Sequence, residues 1–174
     1  INTMRIKDIH IIKEGNQIVG LTGSTLYGLE KKLKPYGREP HSIIGSTSIG
    51  ASIIGGICNN AGGSLVQRGP SYTEMALYAR ISKTGKLELV NELGINLGSN
   101  PEEILDNLQN QNYDESDIHE TDQLGSDNKY SEIVREIDKS TPARYNSDSR
   151  LLYGASGSAG KIAVFAVRLD TYVS

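Results

Sequence analysis

Residues Pro40 to Pro70 read PHSIIGSTSIGASIIGGICNNAGGSLVQRGP. Six glycines fall between His41 and Gly63: Gly45, Gly50, Gly55, Gly56, Gly62 and Gly63. Glycine accepts positive φ and lets a backbone come close to another group. Successive free N–H groups in such a loop can cradle an anion such as a pyrophosphate. Ser46, Thr47, Ser48 and Ser52 add hydroxyls, each a donor and an acceptor. Asn59 and Asn60 suit either fixing of the loop or the edge of a heterocycle. A tightly packed, turn-rich core explains the same composition equally well, and the residues alone leave both readings open. The apolar content is too high for a flexible linker. Cys58, among isoleucines, reads as a small core residue rather than a nucleophile. His41 stands beside the segment as a candidate ligand contact.

Upstream, Met4 to Ile12 alternates apolar and polar residues. Turn residues Lys13 to Asn16 follow, then Gln17 to Leu21, which predicts a β-hairpin. Ser24 or Thr25 can cap a helix carrying Leu26, Leu29 and Leu33, and Pro35 with Gly37 ends it. Downstream, Met75 to Ser82 and Lys86 to Val90 predict a second hairpin, with Gly85 available in its turn. Asn100-Pro101-Glu102-Glu103 places a cap, a proline at the first helical position and two acids at the positive end of a helix. Leu97 to Ser140 holds twelve Asp/Glu against three Lys/Arg, a net of −9 within a chain of net −3. It is expected to be a solvated acidic insertion at about 97–140, part helix and part mobile loop. Lys161 to Leu169 (KIAVFAVRL) predicts a last strand. Hairpins, a terminal strand and dispersed helices give an α+β class.

Composition excludes several functions. A net charge of −3 argues against a generally basic nucleic-acid binder, and no nucleic-acid partner is expected. One cysteine permits no intrachain disulfide and no cysteine-cluster metal site. His10, His41 and His119 carry no ligand spacing, so no metal site is expected. Gly154 to Val167 (GASGSAGKIAVFAV) superficially matches a phosphate loop. Ala155 stands where that motif needs glycine, and Ile162 where it needs Ser or Thr. Arg68 and Arg144 are expected to pair structurally. The mostly apolar run from Ile49 to Cys58 is ten residues long, about half a bilayer span.

The run REPHSIIGSTSIGASIIGGICNNAGGSLVQRGPSYTEMALYARI, together with TPARYN and SAGKIAVFAVRLDT, closely resembles the bacterial FAD-dependent, quinone-linked D-lactate dehydrogenases. These fall in the vanillyl-alcohol-oxidase-like, PCMH-type FAD-binding class. The resemblance spans nearly the whole chain and is weakest over Leu97 to Ser140. It implies that residues 1–174 are the second subdomain of an FAD-binding domain, a mostly antiparallel sheet with flanking helices. The first FAD subdomain, the substrate domain and the membrane region would lie elsewhere in the parent, so the chain is expected to be a fragment. This agrees with its start at Ile1 and its stop just after a strand-like run. By motif, Gly45, Ser52, Gly62 and Val164 are implied FAD contacts, with Gly50, Ala51, Gly55 and Gly56 as near neighbours. The implied reaction is oxidation of D-lactate to pyruvate, with electrons passing through FAD to membrane quinone at the cytoplasmic face of the bacterial inner membrane. The catalytic residues are expected in the absent part, and none is assigned here. The alternatives are an FAD enzyme for another 2-hydroxy acid such as glycolate, and a non-catalytic scaffold of the same fold.

Overall fold

The structure is a computed structural model that describes residues 2–42, 50–62, 65–140 and 152–174. Strand β1 (Ile9–Ile12) turns through Lys13 to Gly15 into β2 (Gln17–Leu21). The turn holds Lys13, Glu14 and Gly15 at φ 50°, 55° and 91°, three left-handed residues in succession. The expected first strand began at Met4. The structure starts it at Ile9, because the preceding residues bond irregularly: Gly23 N–H donates to the Ile6 carbonyl and Leu21 N–H to that of Asp8. Met4 lies exposed outside the sheet.

Helix α1 (Leu26–Leu33) follows, with Thr25 as its cap accepting from Gly28 N–H at 3.1 Å. Leu26, Leu29 and Leu33 form its buried stripe, and Gly37 at φ 62° turns the chain out of the helix. Strand β3 (Arg38–Glu39) is short. After the glycine segment come helix α2 (Ile53–Cys58), strands β4 (Ala76–Ile81) and β5 (Leu87–Asn91), and helix α3 (Pro101–Asn110). Asn100 caps α3 and Pro101 opens it, as its sequence signals. A short helix α4 (Tyr130–Ile133), strand β6 (Ala163–Asp170) and strand β7 (Tyr172–Val173) complete the described chain.

Five strands form one antiparallel sheet in the order β1-β2-β6-β4-β5, and β3 pairs with β7 in a second, small sheet. Mixed helix with antiparallel sheet gives the α+β class. Alternation along each strand divides the side chains between two cores. Ile18, Tyr78, Val167 and Leu169 face α1 and α2. Val19, Leu21, Leu77 and Ala166 face Leu93, Ile95, Leu97 and Leu108 on the other side. The acidic stretch is therefore anchored as well as charged. Leu97 and Leu108 are buried, and Ile104 and Leu105 of α3 pack against them.

Strand β6 carries a bulge. Leu77 pairs with Ala166 but Tyr78 with Val164, so Phe165 is the extra residue. The ladder is interrupted there, and the Thr22 hydroxyl reaches the carbonyls of Val164 and Phe165 at 3.0 and 2.8 Å. Three residues on, Arg168 is 2% exposed. Its Nε donates to Gln17 Oε1 at 2.9 Å, and its Nη1 to the Leu93 carbonyl at 3.0 Å, with those of Gly94 and His119 close by. Burial lowers its pKa, and the surrounding acids, Glu120 foremost, oppose that. A buried guanidinium needs its hydrogen bonds met. Here one side chain ties the sheet to the loop that covers it. Arg168→Leu would strand those acceptors and is expected to lower unfolding free energy by about 2–4 kcal/mol, measured by urea denaturation.

Candidate functional site

Six residues are too few for a helix to stand alone in water, so α2 depends on its neighbours. Ile53 and Ile57 are fully buried beneath it. A Cβ at Gly20 of β2 would come within 3.3 Å of the Ile53 side chain, so the glycine allows the close approach. Leu26 N–H donates to the Ala51 carbonyl and Ile53 N–H to that of Ser24, which fixes the start of α2 beside the start of α1. Ser52 caps α2 by accepting from Gly55 N–H at 3.0 Å.

Beside α2 lies a cavity of about 330 Å³, at the small end of the range for ligand sites. Ala51, Ser52, Gly55, Gly56 and Gly62 line it, with His41, Ser42 and Ser71. Five of the eight residues implied by resemblance thus meet at one hollow. Gly50 adjoins Ala51 in the chain and is exposed. Gly45 lies outside the described residues. Val164 does not line the cavity: its side chain packs in the core beneath α2, and its carbonyl is met by Thr22.

The glycines differ in what demands them. A Cβ at Gly55 would sit 2.5 Å from Ser52 Oγ, and one at Gly56 3.0 Å from Ser71 Oγ. At Gly55 something would have to shift, and at Gly56 the Ser71 hydroxyl would have to give by a few tenths of an ångström. Gly50 is held at φ 90°, a left-handed conformation. Gly62 has neither constraint: its φ is ordinary, and among the described residues nothing lies within 4 Å of a Cβ built on it.

Polar groups around the hollow divide in the same way. His41 and Ser71 are buried and hydrogen-bonded to each other through Nε2 and Oγ. The Ser42 hydroxyl is buried and has no hydrogen-bond partner among the described residues. An orphaned buried hydroxyl costs roughly 1–3 kcal/mol, and a polar ligand in the cavity would satisfy it. Small residues, an orphaned hydroxyl and an uncharged wall fit part of a nucleotide cofactor. Arg68 is committed elsewhere, as its structural pairing predicts. It bonds Glu39 at 2.6 Å and the Pro40 carbonyl at 2.8 Å, and lies over the Tyr172 ring at 5.0 Å. Arg144 lies outside the described residues. Cys58 packs against the core. His10 is buried on the opposite sheet face, bonded to Tyr113 at 2.6 Å. Among the described residues no group of three His, Cys, Asp or Glu could hold a metal ion, and no helix is long and apolar enough to cross a membrane. Ser42 and Ser71 escape the sequence reading because serine is common and the second meets the cavity from thirty residues beyond His41.

Burial pushes His41 down to about 4, and the charge of Arg68 adds to it. The imidazole is therefore neutral near pH 7. Unfolded, it titrates near 6.5. Between these values the unfolded chain binds the extra proton, so stability is lost as pH falls from about 6.5 towards 4. The full loss is roughly 3 kcal/mol. His41→Gln is expected to remove this component. Urea denaturation of both forms at pH 7 and pH 4.5 checks it: the wild type should lose more stability than the variant.

No family model matches the chain. Over 172 residues, 99% of its length, it is 60% identical to the quinone-dependent D-lactate dehydrogenase of Haemophilus influenzae. It is 56% identical to that of Escherichia coli and 48% to that of Corynebacterium glutamicum over the same length. In each case the chain spans 30% of the relative's length. Along nearly its whole length, the chain is a homologue of one stretch of the quinone-dependent D-lactate dehydrogenases.

Proposed function

We propose that the chain is the second subdomain of a PCMH-type FAD-binding domain, within a respiratory enzyme that oxidises D-lactate to pyruvate and delivers the electrons to membrane quinone. The observation that carries this is the 60% identity, over 99% of the chain, to a quinone-dependent D-lactate dehydrogenase. The hollow beside α2 supports it, because part of a flavin nucleotide fits small residues, an orphaned hydroxyl and a neutral wall. Ser42, Ser52 and Gly62 would hold part of the flavin, which would supply the redox chemistry for oxidation of a 2-hydroxy acid.

The residues of this chain bind and orient. Gly62 leaves room for the ligand. Ser42 offers its hydroxyl as donor or acceptor. Ser52 accepts from Gly55 N–H, and among the described residues its own proton meets no acceptor. Neutral His41, held by Ser71, adds no positive charge beside the cofactor. The general base, the carboxylate-binding groups and the contact with the cytoplasmic face of the inner membrane are assigned to other parts of the parent chain.

The full-length parent is expected to carry visible flavin absorbance that bleaches on anaerobic addition of D-lactate. Bleaching by glycolate and not by D-lactate would redirect the substrate, and absence of flavin would overturn the reading. Gly62→Val in the full-length protein is expected to abolish flavin retention. The apoprotein's unfolding free energy should move by about 0.5 kcal/mol or less, since a Cβ there meets nothing within 4 Å among the described residues. A variant that retains flavin would sink the assignment of this position and favour the scaffold reading.

A further inference from the structure

Two asparagines close α2, and they behave differently. Asn59 donates its amide to the Gly55 carbonyl at 2.9 Å. Asn60 is 6% exposed, and among the described residues neither its amide nitrogen nor its carbonyl oxygen has a partner. Leaving both ends of a buried carboxamide unmet is costly. The residue also sits at φ 47°, a conformation that asparagine tolerates and most side chains resist. Asn60 lines a second cavity of about 220 Å³, with Asn59, Leu152 and Gly157. Asn59 lines the principal hollow as well, so the two spaces share a wall.

The loop over this cavity is held in place independently of Asn60. Gly157 N–H donates to the Ile57 carbonyl and Ala159 N–H to that of Cys58. A Cβ at Gly157 would approach Asn60 Nδ2 to 2.8 Å, so the glycine keeps the carboxamide clear. Next to it, the Ser158 hydroxyl is likewise buried with no partner among the described residues.

We propose that Asn60 is a positioning residue whose carboxamide reads a heterocycle edge that offers one donor and one acceptor side by side. A carboxamide matches such an edge with two parallel hydrogen bonds. The inference rests on the flavin-nucleotide reading above. That cofactor has two such edges, one on its adenine and one on its flavin ring, and the experiment separates them.

Full-length wild type, Asn60→Gly and Asn60→Asp are stripped of cofactor and titrated with FAD, FMN and ADP. Asn60→Gly suits the left-handed backbone and removes the stranded amide, so its apoprotein should melt no lower than wild type. Its affinity for FAD should nevertheless fall about tenfold or more. Asn60→Asp keeps the shape, exchanges the donor for an acceptor, and should fall similarly. A parallel loss for ADP with FMN unchanged assigns the adenine edge; loss for FMN with ADP unchanged assigns the flavin edge. If wild type takes up flavin and both variants bind all three probes equally well, the inference fails while the flavin reading stands. If wild type takes up no flavin, both fail.

Discussion

The last strand of the large sheet is its centre. β6 pairs with β2 on one side and β4 on the other, joining Gln17 to Asp170 and Ala76 to Val167. Until it is in place, the two hairpins share no hydrogen bonds and neither core has its middle row. Val167 and Leu169 fill one core and Ala166 the other, while Arg168 binds the covering loop through the carbonyls of Leu93 and Gly94. Both faces of this strand are buried, so a shift of one residue would exchange apolar groups for a guanidinium in the α1–α2 core. Register is thereby tightly specified. The bulge at Phe165 resets the alternation within the same strand.

The cavity inherits its rigidity from this arrangement. α2 is short, and its stability comes from contacts rather than propensity. Its beginning is tied to the residues before α1, and its end receives two hydrogen bonds from the loop that leads into β6. Its underside packs on residues of β2 and β6. Walls fixed on three sides spare a ligand the entropy of ordering them. Neutral His41 bonded to Ser71 belongs to the same economy of motion: buried and hydrogen-bonded, its ring has little freedom to turn.

Where local chemistry decided the outcome, the sequence was readable. Thr25, Asn100-Pro101 and the Lys13–Asn16 turn act within a few residues of themselves, and each stands where its residues indicate. Tertiary partners were invisible. In KIAVFAVRL, Arg168 reads as the polar end of a strand. Its burial is set by carbonyls 49 to 75 positions away. Charge counting likewise found the acidity of the 97–140 stretch and missed the apolar side of α3, where Ile104, Leu105 and Leu108 fall at helical spacing among many carboxylates. The cavity was half legible. Its glycines and Ser52 belong to one recognisable segment, whereas Ser71 arrives from another part of the chain.

Glycine richness alone could not choose between a packed core and a ligand cradle. Resolved position by position, the choice turns out to be a false one. Gly55 and Gly56 serve packing, because a Cβ on either would press on a serine hydroxyl. Gly50 serves the backbone. Among the described residues Gly62 meets neither demand, and it lines the same hollow as Ser42, whose hydroxyl finds no partner among them. Bare space and unmet hydrogen-bonding groups are independent symptoms, one steric and one electrostatic. A core optimised only for stability would fill the first with a methyl group and replace the second with an apolar residue. Their coincidence along one side of α2 is not what packing alone would select.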